Sequence, residues 1–214
     1  MDFYNDRVEI KYMVDYVFLD KILSFFNEFG TIDDYSDNSG IYKINTYYIS
    51  SWNSFTRTAK NHGHLRIRSY PFNDNIFLEE KYRIRNRVYK KRYRIDQEKK
   101  ILLMNFNKFS QIERFNELNN IEFSKPLSFI SDFDKLEVEY SRIAYIIEYK
   151  NLRFRATVDK DLKSSNNILL PNKCILELKV DKDFQNVSAL FLRKFNLLPQ
   201  KISKYKLLKN TILY

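Results

Sequence analysis

Arginine and lysine recur at every second residue in several stretches of the sequence. Arg66 and Arg68 are two residues apart, and so are Lys90 and Arg92. In an extended strand, residues two apart point to the same face, so each pair presents two cations on one side. Phosphate oxygens accept charge-assisted hydrogen bonds from such cations, and arginine can bind them in a bidentate way. The spacing therefore indicates a surface that binds a polyanion.

The same spacing also fits the solvated outer faces of a sheet, where long cations protect the strand edges. For any one pair, this interpretation stays open. Cations that face each other across neighbouring strands destabilise a sheet, so a fold that repeats the arrangement over several strands needs a compensating charge. A bound polyanion would supply it.

Glu177 is a carboxylate on a strand face that otherwise favours cations, since Lys179 lies two residues further on. Two interpretations remain open. Glu177 forms an ion pair with a neighbouring arginine or lysine, or it binds Mg²⁺ or Mn²⁺, which use one or two carboxylates together with substrate phosphates. Glu9 and Glu79 could bind metal in the same way, although an ion pair is the simpler expectation for each.

The composition excludes several classes of protein. A chain of 214 residues, 44% of them hydrophobic, can form one domain with a sizeable core. One cysteine and two histidines argue against a disulfide framework and a zinc centre. No glycine-rich phosphate-binding loop occurs, so side chains must bind any phosphate. Lysine and arginine outnumber aspartate and glutamate by 37 to 27, which favours nucleic acid, phosphate compounds or a membrane surface as partner.

The N-terminus lacks the basic start and the apolar run of a signal peptide. No apolar stretch approaches the ~18 residues that a membrane span needs. We therefore expect a cytoplasmic protein in a reducing compartment.

The hydrophobic pattern predicts an α+β fold dominated by antiparallel strands. Gly30 is expected to cap the first helix, and a bend around Asn86 to close a hairpin. If the segment around Pro199 is helical, Lys201 and Lys204 share a face. Eight strands can close into a barrel with space inside for one ligand. The predicted strands are 7–12, 42–49, 65–70, 76–85, 87–95, 135–145, 152–158 and 174–180, and the helices are 15–29, 105–118, 184–195 and a segment after Ser203.

Nine short motifs, in order over nearly the whole chain, resemble those of the vacuolar transporter chaperone (VTC) polyphosphate polymerase domain, of the triphosphate tunnel metalloenzyme superfamily. The first is R-x-E-x-K at Arg7, and Tyr47-Tyr48-Ile49 stands where the family often has Tyr-Phe-Asp. Each motif is weak alone, and their shared order makes the resemblance specific. The others are Leu65–Tyr70, Phe77–Lys81, Val88–Arg92, Arg142–Tyr145, Arg155–Asp159, Ile175–Lys179 and Ser203–Tyr205.

The resemblance implies that residues 1–214 form a single domain, a closed antiparallel eight-stranded β-barrel with flanking helices. Its lumen would be a tunnel crowded with cations that lack acidic partners. The family uses such cations to hold the triphosphate of a nucleotide and the growing polyphosphate. Glu177 is the implied ligand of a divalent metal, Mn²⁺ or Mg²⁺. The implied catalytic residues are Arg66, Arg68, Lys81, Lys90, Arg142 and Arg155, and the implied substrate-binding residues are Lys11, Arg92, Arg153, Lys179, Lys201 and Lys204.

The implied activity is that of an ATP–polyphosphate phosphotransferase, which moves the γ-phosphoryl group of ATP to a polyphosphate chain and releases ADP. Hydrolytic members of the superfamily begin with E-x-E-x-K, so Arg7 at the first position favours the polymerase. ATP and inorganic polyphosphate are the implied partners, and no nucleic acid is expected. The eukaryotic polymerase sits in a membrane complex, so a membrane partner stays open for this chain, which resembles the stand-alone bacterial type.

Two alternatives remain open. The same tunnel could hydrolyse a triphosphate. Alternatively, the protein could bind polyphosphate or nucleic acid without catalysis. A nucleic-acid binder should expose aromatic residues among its cations for base stacking, and Tyr82, Tyr89 and Tyr93 fit that pattern as well as they fit an aromatic core.

Overall fold

Antiparallel strands dominate the computed structural model, which describes residues 7–33, 40–56, 59–84, 87–123, 132–165, 167–181 and 186–212. This part of the chain contains ten strands and five helices, so the predicted α+β class is confirmed. In chain order they are β1 (Arg7–Asp15), α1 (Tyr16–Phe29), β2 (Gly30–Ile32), β3 (Ile41–Thr56), β4 (Ala59–Tyr70), β5 (Asn75–Ile84), β6 (Arg87–Ile95), α2 (Gln97–Asn105), α3 (Phe109–Asn119), β7 (Asp132–Tyr149), β8 (Leu152–Ser164), β9 (Asn167–Ile168), β10 (Lys173–Asp181), α4 (Val187–Phe195) and α5 (Lys204–Ile212).

The chain divides into two compact units. The first comprises Met1–Lys43 and Glu139–Tyr214, and the second comprises Ile44–Val138. Strands β3 and β7 each cross a boundary between the units along the chain. Each unit has its own hydrophobic core and its own charged strand face.

The first unit has the strand order β1-β10-β8-β7, with β2 paired to β7 and β9 paired to β8. Because side chains alternate along a strand, one sheet face is apolar and the other is polar. On the apolar face, Tyr12, Leu176 and Val158 are fully buried and pack with Phe26 of α1 and Phe191 of α4 in one core. The residues between them along each strand carry the charges of the opposite face.

The second unit has the strand order β3-β4-β5-β6. Leu65, Ile67 and Leu78 point to its core, which Leu103 of α2 and Ile112 of α3 also enter. The alternate residues of β4, β5 and β6 place arginine, lysine and glutamate on the other face. The alternation that the sequence predicts therefore holds in both units.

Gly30 ends α1 at the predicted position but not with the predicted geometry. Its φ is −148°, an extended conformation, and it begins β2 rather than forming a left-handed cap. A Cβ at this position would lie 2.5 Å from Ile147 Cδ1 and 2.7 Å from the carbonyl oxygen of Ile146. Glycine is therefore needed here for the close approach of β2 to β7.

Helix α2 has no counterpart in the sequence-based prediction. Its apolar residues form no stripe, because Leu103 is buried whereas Ile101 and Leu102 are exposed. Asp96 starts the helix by accepting a 2.8 Å hydrogen bond from the backbone N–H of Lys99, a typical cap. A helix set by its cap rather than by periodicity is hard to predict from hydrophobic spacing.

Some further expectations can be compared with the structure, and others cannot. The bend around Asn86 and the first residues of the predicted helix 184–195 lie outside the described residues. The closed eight-stranded barrel is not confirmed, because hydrogen bonds do not close the sheet in the described ranges. Within those ranges, no helix is both long and apolar enough to cross a membrane.

Candidate phosphate-binding site

The second unit gathers four cations around one buried carboxylate. Glu79 has no solvent exposure. Its Oε2 accepts hydrogen bonds from Arg66 Nε at 2.9 Å and Nη2 at 2.8 Å. Its Oε1 accepts from Arg92 Nε at 2.8 Å and lies 2.9 Å from Lys90 Nζ. Arg68 Nη1 is 3.9 Å from Oε2. We call these five residues the Glu79 cluster.

Strand register builds this cluster. Arg66 of β4 pairs with Glu79 of β5, and Glu79 pairs in turn with Arg92 of β6. Two of the arginines also contact neighbouring side chains. Arg68 Nε donates a hydrogen bond to Thr46 Oγ1 at 3.4 Å, and the Arg92 guanidinium lies 4.5 Å from the centre of the Phe77 ring. The three strands therefore bring side chains distant in sequence to one point.

The electrostatics of the Glu79 cluster depend on burial and on the cation excess. Burial alone would raise the pKa of Glu79, but Arg68, Arg66, Lys90 and Arg92 outweigh it and hold that pKa well below its usual range. Burial lowers the pKa of Lys90 to about 7, with Glu79 opposing the shift and Arg68 and Arg92 adding to it. With Lys90 protonated, one carboxylate faces four cations, so the cluster keeps an excess of positive charge.

The first unit holds a second buried carboxylate, Asp159. Its carboxylate accepts hydrogen bonds from Arg142 Nε at 2.5 Å and Nη2 at 2.8 Å, and from Lys204 Nζ at 2.5 Å. Burial would raise the pKa of Asp159, but Arg142 and Lys204 lower it to about 2. The Asp159 carboxylate in turn keeps the pKa of Lys204 above its usual value despite burial. We call these three residues the Asp159 cluster.

Glu177 lies on the same sheet face, between two lysines. Lys11 Nζ is 3.4 Å from its Oε2, and Lys179 Nζ is 3.5 Å from its Oε1. Burial opposes ionisation, but Lys11, Lys179, Arg142 and Lys204 together hold the pKa of Glu177 well below its usual range. Glu177 is therefore an ionised carboxylate at the centre of a cationic face.

The surroundings of Glu177 fit a divalent metal. Both of its ion pairs are longer than a good hydrogen bond, so its oxygens are not saturated. Thr157 lies directly across from it on β8, and within the described ranges its buried Oγ1 has no hydrogen-bond partner. The described residues contain no group of three or more acidic, histidine or cysteine side chains suited to a metal. A metal held by Glu177 would have to take its other ligands from phosphate and water.

Of the other predicted site residues, Arg155 is paired with an acidic residue, Lys81 lies beside Lys90 on neighbouring strands, and Arg153 and Lys201 are exposed. Arg155 Nη2 is 2.6 Å from Asp33 Oδ2 and 3.4 Å from Tyr42 Oη. Lys81 is half-buried, on the same face of β5 as Glu79. Arg153 is 75% exposed beside Glu148, and Lys201 is exposed.

Two sequence-based expectations about these cations are wrong. Acidic partners neutralise part of the cationic face: Arg66, Arg68, Lys90 and Arg92 share Glu79, and others pair with Asp159, Glu177 or Asp33. Lys201 and Lys204 do not share a helical face, because α5 begins only at Lys204. The segment before it is instead held by a 2.7 Å hydrogen bond from Gln200 N–H to the Lys11 carbonyl oxygen.

Sequence reasoning missed the structural importance of Asp159 and Asp33. Asp159 closes the R-x-T-x-D motif and shares a strand face with Arg155, so the signal was present. Its pairing with Arg142 depends on the register of β7 and β8, which cannot be read from the sequence. Asp33 directly follows a strand of three residues that was not predicted.

The three tyrosines considered for base stacking belong to the core of the second unit. Tyr82 and Tyr89 stack with ring centres 4.9 Å apart, and Tyr82 is buried. Tyr93 packs against the same core and donates a hydrogen bond to the carbonyl oxygen of Glu122. The aromatic-core interpretation therefore holds for this group.

Comparison with known proteins gives one family match. The sequence model of the VTC domain matches residues 6–208 and so spans both units. No curated protein matches the chain significantly.

Several solved structures share the fold at low identity. A Bacillus halodurans protein described as a candidate adenylate cyclase has a TM-score of 0.56 at 13% identity, over 94% of this chain and 96% of its own. HpAC1 from Hippeastrum has a TM-score of 0.52 at 11% identity, over 95% of this chain and 96% of its own. It is described as a candidate adenylyl cyclase with a dominant triphosphatase activity. PH1819 from Pyrococcus horikoshii has a TM-score of 0.52 at 16% identity, and the alignment covers 97% of this chain and 99% of its own.

Proposed function

The chain belongs to the VTC domain family, and on that premise we propose that it is a polyphosphate polymerase. It transfers the γ-phosphoryl group of ATP to a growing polyphosphate chain and releases ADP. The observation that carries the proposal is the Glu79 cluster, in which four cations of the family motifs converge on one buried carboxylate and keep excess positive charge. A local excess of cations suits a polyanionic substrate.

The cations would act by positioning and by neutralising charge. Phosphoryl transfer spreads negative charge over the equatorial oxygens, and arginine and lysine stabilise that charge. In this proposal Arg66, Arg68, Lys81 and Lys90 bind phosphate oxygens in the second unit, as Arg142 and Arg155 do in the first. The accepting phosphate oxygen is already ionised at neutral pH, so the reaction needs no side-chain nucleophile.

Glu177 would hold the metal, Mn²⁺ or Mg²⁺, with Thr157 placed to hydrogen-bond a ligand of that ion. When bound, such an ion supplies charge neutralisation between phosphate oxygens. Lys11 and Lys179 flank the carboxylate and would keep phosphate close to it. Lys201, Lys204, Arg92 and Arg153 are the further substrate-binding residues of the proposal.

The proposal includes two features beyond the geometry of the individual clusters. One is the closed eight-stranded barrel of the family. The other is the cytoplasm as the place of reaction, because ATP is the proposed donor.

A triphosphate hydrolase is the second candidate. The Hippeastrum protein of similar fold is described with a dominant triphosphatase activity, and the same cations would bind a triphosphate for hydrolysis. A hydrolase must also position and activate water, usually with carboxylate or metal help. Arg7 stands where the hydrolytic pattern has its first glutamate, which favours the polymerase.

Incubation with ATP and Mn²⁺, followed by phosphorus NMR, separates the candidates. A polymerase gives the signal of internal phosphates together with ADP. Free phosphate in an amount equal to ADP, across metals and primers, would assign the protein to the hydrolases. Binding of polyphosphate with no turnover of ATP would indicate that the protein is a non-catalytic polyphosphate binder.

A further inference from the structure

We infer that Glu79 is an internal counter-anion: it substitutes for substrate phosphate while the site is empty, and thereby limits how tightly the site binds phosphate. The inference rests on the proposed phosphate-binding function of the same cluster. It assigns Glu79 a role in setting affinity through its neighbours, without contact to the substrate.

The contacts of Glu79 suit this role better than metal binding. Arg66 and Arg92 each donate two hydrogen bonds, one arginine to each carboxylate oxygen. Lys90 adds a contact to Oε1 at 2.9 Å. A metal ion would have to displace the contacts of these three cations from a carboxylate with no solvent exposure. The geometry instead matches that of an anion held by a cationic ring.

The four cations are not held equally. Arg66 and Arg92 are fixed by hydrogen bonds to Glu79, whereas Arg68 approaches it only at 3.9 Å. Lys90 also contacts Glu79 closely, at 2.9 Å, so Arg68 is the member for which an incoming phosphate competes least with Glu79. Glu79 keeps the two arginines in place and leaves the cluster cationic.

The balance of charges predicts whether loss of the Glu79 charge raises or lowers the affinity for phosphate. One carboxylate offsets part of the repulsion among the four cations gathered around it, so its loss should destabilise the empty folded state. Bound phosphate would restore the missing negative charge, so the bound state should suffer less. Any change that destabilises the empty state more than the bound state increases affinity by mass action. Glu79 also repels phosphate directly, which acts in the same direction.

The test compares Glu79→Gln, which removes the charge and keeps the shape, with Glu79→Asp, which keeps the charge. Glu113→Gln is the matched control, because Glu113 is an exposed residue of α3 in the same unit and the charge change is equal. Melting temperatures and tripolyphosphate affinity by calorimetry are measured without metal near pH 6, below the pKa of about 7 that Lys90 has beside Glu79. Because loss of Glu79 would lower the pKa of Lys90 further, each Glu79 variant is also compared in a Lys90→Arg background, where the charge stays constant.

We expect Glu79→Gln to melt below the wild type without anion and to gain more melting temperature from tripolyphosphate. Its tripolyphosphate affinity should increase by about tenfold, the effect of one nearby charge at a partly screened site. Glu113→Gln should keep the wild-type response, and Glu79→Asp, which retains the charge on a shorter side chain, should change tripolyphosphate affinity much less than Glu79→Gln. If Glu79→Gln does not fold alone, refolding should succeed in tripolyphosphate and fail without it.

Two results would overturn the inference. One is a folded Glu79→Gln protein with unchanged or weaker tripolyphosphate binding, which would mean that Glu79 only aligns the arginines. The other is a variant that no anion rescues. These results are distinct from failure of the proposed function, which would show as a wild-type protein that neither binds tripolyphosphate nor forms polymer.

Discussion

At the scale of single residues, Lys90 is the member of the Glu79 cluster whose charge changes near neutral pH. Its pKa is lowered to about 7, chiefly by burial. A bound phosphate favours the protonated form, so binding takes up a proton above that pH. We therefore expect tripolyphosphate affinity to fall between about pH 7 and about pH 9 in the wild type. Calorimetry should show a much flatter profile in Lys90→Arg, because arginine stays charged.

The ligand also titrates in this range, so the comparison rests on the difference between the two proteins. Parallel pH profiles for wild type and Lys90→Arg would contradict the role given to Lys90. The same shift has a consequence for stability. An unfolded lysine keeps its proton up to about pH 10, so above pH 7 the unfolded state binds more protons and the free energy of unfolding contributed by Lys90 rises with pH.

The contribution of Asp159 to stability should change at acidic pH, whereas that of Lys90 changes above pH 7. Its pKa of about 2 lies below the unfolded value, so its stabilising contribution is present above about pH 4 and is lost as pH falls toward 2. Asp159→Asn leaves Arg142 and Lys204 without their buried counter-charge. We expect it to lower the free energy of unfolding by about 3–5 kcal/mol at neutral pH, measured by urea denaturation.

Asp20→Asn provides the control for Asp159, because Asp20 is an exposed residue of α1 in the same unit. It should change stability by less than about 0.5 kcal/mol. Equal effects of the two substitutions would show that the Asp159 contacts contribute little.

Glu177→Gln should abolish metal-dependent turnover and leave the fold intact. The amide keeps the shape of the carboxylate but lacks the charge that a hard cation needs. Turnover of ATP is measured over a range of Mn²⁺ concentrations, and the melting temperature reports on the fold. Full activity with Mn²⁺ would mean that Glu177 serves only as a partner of Lys11 and Lys179.

At the scale of elements, the start of α5 separates the roles of two lysines. Lys204 is the first residue of α5 and contacts Asp159, whereas Lys201 precedes the helix and is exposed. We expect Lys201→Ala to shorten the polyphosphate product with little change in melting temperature. Lys204→Ala should also destabilise the protein, by about 1–3 kcal/mol, because Asp159 loses one of its two charged partners.

Gel analysis of chain length and a melting curve for each single variant test this separation. Identical effects of both substitutions on both measurements would contradict it.

Strand faces could be predicted from the sequence, whereas strand register could not. Alternation along β4 placed Arg66 and Arg68 on one face, and the structure confirms it. That Glu79 lies between Arg66 and Arg92 depends on how β4, β5 and β6 align, and no local pattern encodes that alignment. The cations were therefore predicted as unpaired, although their acidic partners lie on adjacent strands.

The elements that were missed lacked a hydrophobic signal. Helix α2 begins at a capping aspartate and has no apolar stripe. The far ends of β3 and β4 carry Ser54, Asn61 and Gly63, residues that rarely mark strands. Element type was thus predictable where an apolar face is buried, and unpredictable where polar contacts determine the structure.

At the scale of the whole molecule, the net charge of +10 predicted a polyanionic partner, and the structure shows that internal carboxylates offset part of that charge locally. Glu79, Asp159 and Glu177 are each buried among cations. A protein that only avoided aggregation would keep its cations on the surface, where water screens them. Burial of charge in both units is costly, and the proposed phosphate-binding function would account for it.

The most direct test of the central claim follows the γ-phosphoryl group of ATP. The protein is incubated with Mn²⁺ and ATP labelled either at the γ-phosphate or at the α-phosphate, and the products are separated by size. We predict that the γ-label enters a polyphosphate chain that a polyphosphate-specific exopolyphosphatase degrades, while the α-label remains in ADP. Recovery of the γ-label entirely as free phosphate, or in unreacted ATP, would contradict the account.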